Sequence, residues 1–327
     1  MNKLLLLLSF GFGAVITVPD DYSTIQEGID AAAIGDTVVV YPELYNENII
    51  IDKSITLTSL ALFDTTTNTI AEALDNWVDF TSIPYIVING YINTTIINGA
   101  GEDKSTVTVI GDDCIEPLIL GFTIQNGNAE GDNPYYSGGG MYLMYSNPAL
   151  TGVTFSNNTA QEDGGGIDCN LSSNPILTNV TISGNTAGSS GGGGIYSYSS
   201  GISLGNVNIS DNSTSGPGGG IYYNQSNSIL TNVTISGNVA TGEYGFGGAI
   251  YHETVSYSTL LNCILWNNSP QEIYFSGEIE WNSGSTTAAY CDIQGGEDGI
   301  ITNDNSTVSW GNTSISVVER LYNWKQL

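Results

Sequence analysis

Few residues in this chain are equipped for acid–base or nucleophilic chemistry, and nearly all of those are acids. The 327 residues include 33 Asp or Glu, five Lys or Arg and one His, a formal net charge of −28. The bases are Lys3, Lys53, Lys104, Arg320 and Lys325, so residues 15 to 310 contain no arginine. Gly111-Asp112-Asp113 offers two adjacent carboxylates. Paired acids hydrolyse glycosides at suitable separation, but an adjacent pair beside glycine reads first as a solvated turn. His252 is the only histidine. Strand alternation from Ile250 turns it inward beside Tyr223, which makes it an interior polar group before it is a general base. The Ser-rich turns lack a paired base to activate a nucleophile. No Cys-x-x-Cys or Cys/His cluster points to zinc. Of the four cysteines, Cys263 and Cys291 lie 28 residues apart, a spacing that places them on equivalent positions of neighbouring repeats as two buried thiols.

A more distinctive set is an outward column of Tyr142, Asp168, Tyr196, Tyr222 and Tyr251, with Tyr198 and Glu253 at the next outward position. Aromatic faces spaced along a rigid surface can stack on sugar rings. Aromatic cross-strand pairs also stabilise sheets with no ligand at all. The nearby Glu162, Asp163 and Glu253 would favour neutral glycans over uronates. Acidic turns of this kind can also recruit calcium, although no cofactor is required.

These residues are set by a repeat. Five glycine clusters, each followed by an aliphatic residue, begin at Gly138, Gly164, Gly192, Gly218 and Gly247, spaced 26, 28, 26 and 29 residues apart. Each copy carries a second phrase, such as Leu177-Thr178-Asn179-Val180-Thr181-Ile182-Ser183-Gly184-Asn185. A fixed period of this size, built from short alternating segments and Gly or Asn turns, is the signature of a solenoid. The alternation has strand period, and no copy holds a helix-length apolar stripe. Three short strands fit in each copy, each pairing in parallel with its equivalent about 4.8 Å along the axis. Aligned copies predict interior ladders of Met141, Ile167, Ile195, Ile221 and Ile250; of Leu150, Leu177, Leu204, Leu230 and Leu260; of Val153, Val180, Val207, Val233 and Cys263; and of Phe155, Ile182, Ile209, Ile235 and Leu265. Asn158, Asn185, Asn212, Asn238 and Asn268 form an amide stack. The fold class is therefore all-β, a single-stranded parallel β-helix.

On these repeats the chain resembles the right-handed parallel β-helix superfamily, the fold of pectate lyases and pectin esterases. Gly247-Gly248-Ala249-Ile250 and Phe155-Ser156-Asn157-Asn158 are similar to the short motifs of polymorphic outer-membrane protein repeats. The resemblance implies a carbohydrate-related activity, but the catalytic side chains it would bring are missing. A lyase of this kind needs a basic residue beside calcium-holding acids. The esterases pair Asp with Arg, and the hydrolases combine clustered Asp with His and Arg-Lys motifs. Two readings of function follow. One is an exported, non-catalytic surface or extracellular protein that serves in adhesion or glycan binding. The other is a polysaccharide lyase or hydrolase with a divergent, carboxylate-based site. Whether the chain is an enzyme stays open, with the weight on no.

Residues 1–14 read as a secretory signal: Lys3, then the apolar run from Leu4 to Phe12. The run is too short to span a bilayer, so the protein is expected to be secreted or held at the cell surface without membrane embedding. The acidic charge excludes nucleic acid as a partner, leaving a polysaccharide or a host or cell-surface glycan. The β-helix is expected over 15–310, with a cap helix about 21–33 and regular repeats over 138–272. Residues 61–92 form a looped excursion. Ile279 and Trp281 mark late strands, and 311–327 is a C-terminal tail or truncated cap.

Overall fold

The computed structural model describes residues 13–62, 94–99, 103–131, 136–276, 284–303 and 305–311. The leader to residue 12, most of the 61–92 excursion, Ile279, Trp281 and the tail beyond 311 lie outside the described residues.

Every paired strand in the solenoid runs parallel to its equivalent one coil away, in four sheets. The strand after each glycine cluster builds sheet 1, of nine strands. The next builds sheet 2, of eleven, and the third builds sheet 3, of nine. Where three strands per copy are expected, the regular coils carry a fourth, two-residue strand: Asn128–Ala129, Thr159–Ala160, Thr186–Ala187, Ser213–Thr214 and Val239–Ala240. This is sheet 4. It exists because the residue after the stacked asparagine stays extended as the chain turns back towards the next glycine cluster.

The aligned ladders are the observed registers. Met141 pairs with Ile167, Ile167 with Ile195, Ile195 with Ile221 and Ile221 with Ile250 in sheet 1. Leu150, Leu177, Leu204, Leu230 and Leu260 follow suit in sheet 2, and Phe155 to Leu265 in sheet 3. All are buried. Four consecutive amide bonds, each 2.9 Å from Nδ2 to Oδ1, connect Asn158, Asn185, Asn212, Asn238 and Asn268. Each Nδ2 also donates to a backbone carbonyl of the preceding coil, such as Asn212 to Ile182 O at 2.9 Å, so the buried amides are satisfied. Glu272 closes the stack, accepting from Asn268 Nδ2 at 2.6 Å.

The glycine clusters have two separate causes. The first member is left-handed, as at Gly192 with φ +69°, a conformation most residues pay to adopt. The later members are crowded by the next coil: a Cβ on Gly194 would sit 2.6 Å from the Gly220 carbonyl oxygen.

The cap helix covers the N-terminal end, but it spans Ile25–Ala31 and not 21–33. Thr24 and Glu27 form a reciprocal capping box that starts it later than the apolar pattern suggests, and leaves Tyr22 outside and exposed. Lys53 donates from Nζ to the carbonyls of Ile29 at 3.2 Å, Asp30 at 3.4 Å and Ala32 at 3.1 Å. One of the few bases is thus a helix C-cap. Asp112 and Asp113 are likewise not in a simple turn. They lie in the strand Val107–Ile115, at a bulge where Ile110 faces Met144 and Ile115 faces Ser146.

Charge is segregated around each coil. From Leu118 to Trp266 the outward strand positions of sheets 2 and 3 hold Thr, Ser, Asn, Gln, Ala, Gly, Ile, Leu, Tyr and Trp, with no ionisable acid or base. The described acids of the same stretch are Glu130, Glu162, Asp163 and Glu243 in the turns leading to sheet 1, Asp168 and Glu253 on sheet 1, and Asp211 after sheet 3.

Candidate functional site

The outward column of sheet 1 is in register as expected. Tyr142 pairs with Asp168, Asp168 with Tyr196, Tyr196 with Tyr222, Tyr222 with Tyr251, and Tyr251 with Tyr274. Its exposure is not as expected. Tyr142, Tyr222 and Tyr251 are only 7%, 6% and 7% exposed, and Asp168 is fully buried. The rings stack on one another, with centroids 4.8 Å apart for Tyr196–Tyr222, 5.1 Å for Tyr222–Tyr251 and 5.7 Å for Tyr251–Tyr274. The turns before the glycine clusters fold over them. A Cβ on Gly191 would touch Tyr222 at 3.0 Å, and Phe246 stacks on Tyr274 at 4.6 Å. The expectation of a free aromatic surface is therefore corrected: the faces of the inner rings are spent on their neighbours, and a sugar cannot lie flat on them. Glu253 serves the same column. It accepts a hydrogen bond from the Tyr222 hydroxyl and one from Asn224 Nδ2 at 2.9 Å. Tyr198 is half-buried, paired with Asn170 and Asn224 on the adjoining coils.

Beside this column the turns border an open concavity of about 600 Å³, lined by Glu130, Gly131, Tyr136, Gln161, Glu162, Asp163 and Ser190. Its residues stack by coil as the strands do. Tyr136, Glu162 and Ser190 each stand two residues before a glycine cluster. Ser190 Oγ donates to Glu162 Oε2 at 2.6 Å, and Ser137 Oγ to Asp163 Oδ2 at 3.3 Å. The second Asp163 oxygen is buried and makes no hydrogen bond. Burial pushes the Asp163 carboxyl up to about 7; the Ser137 bond opposes this and the Glu162 charge adds to it. Asp168, behind it, is pushed well above the usual carboxylate range by burial and by Asp163, although Asn170 Nδ2 donates to both its oxygens at 2.8 Å. Two carboxyl groups therefore hold protons at pH values where free aspartate is ionised. Glu162 and Asp163 were legible as acids near the column. Of the other lining residues, Tyr136 and Ser190 are marked in the sequence by their fixed offset from the glycine clusters, whereas Glu130 and Gln161 carry no such signal.

The other candidates are structural. His252 points inward, with Nε2 3.2 Å from both Ser258 Oγ and Thr286 Oγ1. Its ring lies between Tyr223 at 5.4 Å and Phe275 at 4.6 Å. Burial lowers it to about 3, so it is neutral and has no access to substrate. Cys263 and Cys291 are buried on adjacent coils and are not joined in a disulfide. Among the described residues, no three His, Cys, Asp or Glu side chains are grouped to hold a metal ion, and no helix is long and apolar enough to cross a membrane.

Comparison with known proteins agrees with this architecture. A solved alginate lyase from a Paenibacillus species aligns at TM-score 0.51 and 12% identity, over 92% of this chain and 99% of the lyase. The pectin methylesterases of Aspergillus niger and Erwinia chrysanthemi align at TM-score 0.44, with 14% and 10% identity, over 94% of this chain and 88% and 92% of theirs. At 12% identity the likeness to the lyase is one of fold. Among curated protein sequences none matches this chain. Residues 86–277, more than half of the chain, match the family model described as a right handed beta helix region. With its parallel in-register coils, the chain belongs to the right-handed β-helix family.

Proposed function

We propose that this is an exported polysaccharide-binding protein acting outside the cell or at its surface, and that it takes a neutral glycan segment into the acid-lined cavity beside sheet 1. The observation that supports this most is the cavity lining. Glu130, Glu162, Asp163, Tyr136, Gln161 and Ser190 converge hydrogen-bonding groups on one concavity of a rigid scaffold. Sugar hydroxyls donate well to carboxylates, whereas a polyuronate would meet like charge on a chain of net charge −28. The solenoid is already ordered, so binding has little ordering cost.

A second reading, hydrolysis, is favoured by one observation: Asp163 keeps its proton to about pH 7 beside the Glu162 carboxyl. Carboxyl groups whose environments separate their proton affinities can divide the roles of general acid and base. One experiment addresses both readings. Purified wild-type protein, Glu162→Gln and Asp163→Asn are titrated with neutral and uronic oligosaccharides, with and without calcium, and assayed for new reducing ends. The binding reading expects neutral oligosaccharides to bind and Glu162→Gln to weaken them roughly tenfold, the loss of about one good polar contact, with the melting temperature kept. Unchanged affinity in both variants would sink it. Reducing ends that vanish in Asp163→Asn would establish the hydrolase.

A further inference from the structure

Two buried thiols lie on consecutive coils near the C-terminal end of the solenoid. Cys263 and Cys291 continue the interior ladder of Val153, Val180, Val207 and Val233. Leu261 pairs with Ala289 on one side of them and Ile264 with Asp292 on the other, which sets Cys263 opposite Cys291. Equivalent residues of neighbouring coils are about 4.8 Å apart, inside the roughly 4.4–6.8 Å span between the Cα atoms of a disulfide. Side chains held in register within a sheet project in parallel, which is poor geometry for a bridge. These two are not within a sheet. The strands of their coils end at Leu261 and Ala289 and resume at Ile264 and Asp292. Left-handed residues, Asn262 at φ +54° and Tyr290 at φ +58°, turn the chain immediately before them. Cys291 Sγ leans back onto the coil of Cys263, 3.5 Å from the Leu260 carbonyl oxygen. Cys263 Sγ leans back one coil further, 3.5 Å from the Leu230 carbonyl oxygen. Turning Cys263 into another staggered rotamer carries its sulfur towards Cys291.

We propose that Cys263 and Cys291 are a dithiol pair that closes to an inter-coil disulfide under oxidising conditions and fastens the last strand of sheet 3 to the coil before it. The chemistry is thiol–disulfide exchange, with a low-molecular-weight disulfide as the oxidant. The Cys291 thiolate attacks one sulfur of that disulfide and releases its other half, which takes up a proton. Cys263 then gives up its proton, attacks Cys291 Sγ and releases the second half. Two protein thiols lose two electrons and two protons, and the external disulfide becomes two thiols. Hydrogen bonding to Cys263 holds the Cys291 thiol below the ordinary cysteine range, while the same contact and burial raise Cys263, so Cys291 is the attacking group. Its place gives it access. Among the described residues sheet 3 ends at Asp292–Ile293, directly after Cys291, and the end of a stack opens more readily than its middle. The other cysteines stand elsewhere: Cys169 lies in sheet 1 opposite Leu143 and Ser197, and Cys114 is exposed on the bulged strand.

The test compares the purified full chain, reduced or treated with oxidised glutathione. Each sample is denatured, alkylated, digested without reductant and mapped by mass spectrometry. The expected result is one linked pair of peptides carrying Cys263 and Cys291, with Cys169 alkylated. The bridge closes a loop of 28 residues, 291 minus 263, so amide exchange at Ile264 and Ile293 should slow by at least about tenfold on oxidation and recover with dithiothreitol. Cys263→Val, which extends the valine ladder, should melt like the reduced protein and show no change on oxidation. Cys263 and Cys291 both alkylated after oxidation would overturn the proposal. So would glutathione left on Cys291, or a bridge to Cys114 or Cys169. A Cys263–Cys291 bridge that leaves exchange at Ile264 and Ile293 unchanged would overturn its fastening role.

Discussion

Two sides of one coil differ more than any two coils along the axis. Towards sheet 1 the chain runs through a left-handed glycine, two glycines crowded by the next coil, and a column of buried tyrosines edged with acids. Towards sheets 2 and 3 it runs through Thr, Ser and aliphatic residues around a left-handed Asn turn, as at Asn206 and Asn232, with no charge on the strands from Leu118 to Trp266. Parallel in-register stacking explains the contrast. Any residue on a coil meets its equivalent about 4.8 Å away, and two carboxylates at that distance repel by on the order of 3 kcal/mol at an effective dielectric near 20. Acids are accordingly never stacked on acids in the regular coils. Asp168 lies between Tyr142 and Tyr196, Asp163 is bridged to Gly191, and Glu253 is one coil from Asn224. A face on which acids are separated by tyrosine, serine or glycine can keep them and build a cavity. The columns of sheets 2 and 3 hold none between Leu118 and Trp266, and Asp292, beyond that stretch, stands beside Ile264 and not beside another acid.

The sharpest way to test this contrast uses two glycines of one coil. Gly194→Ala should cost about 4 kcal/mol or prevent folding, because the new Cβ would meet the Gly220 carbonyl oxygen at 2.6 Å. Gly205→Ala, on the outward face of sheet 2, has only the Leu177 carbonyl oxygen at 3.9 Å to meet and should be neutral or stabilising by about 0.5 kcal/mol. Urea melts of the two variants decide it. Equal effects would mean that the two sides are packed alike.

Asparagines give the next comparison. Asn212→Ala removes a buried amide that donates to Asn238 and Ile182 and accepts from Asn185, so the expected loss is about 3 kcal/mol through unsatisfied partners on both neighbouring coils. Asn206→Ala, in the exposed turn of the uncharged side, removes one bond from Asn232 Nδ2 at 3.0 Å and a left-handed preference, at about 1 kcal/mol. Thermal melts should rank them in that order.

The smallest effect separates the acid side by pH. Asp163 has a folded-state pKa of about 7, above the ordinary aspartate value. Its contribution to stability is therefore complete below about pH 4 and is lost as pH rises through about 7. Because the group is partly exposed, about 2 kcal/mol is expected rather than the full equivalent of the shift. Melting curves from pH 4 to 8 should flatten in Asp163→Asn relative to wild type. Parallel curves would show that the carboxyl is solvated.

Much of this molecule could be read before any coordinates. In a parallel solenoid the sequence period is the spatial neighbour list, so aligning copies is enough to place Ile209 between Ile182 and Ile235, Asn212 between Asn185 and Asn238, and His252 beside Tyr223. Local backbone chemistry is legible in part for the same reason: the left-handed position is Gly in every glycine cluster and Gly or Asn from Gly152 to Asn262 in the sheet 2/3 turn, whereas the left-handed position after sheet 1 holds Tyr145, Leu171, Ser199, Gln225 and Thr254 and carries no such signature. What only the tertiary structure decided lies in the turns, whose lengths differ between coils. Their path over sheet 1 hides the faces of Tyr142, Tyr222 and Tyr251, gathers Glu130, Tyr136 and Ser190 around Asp163, and removes enough water to hold a proton on that carboxyl near pH 7. Lys53 is a charged residue by sequence and a helix cap by structure, because its three carbonyl partners come from residues more than 20 positions earlier. Register follows from a one-dimensional repeat; burial depends on how irregular segments fold back in three dimensions, and no period encodes that.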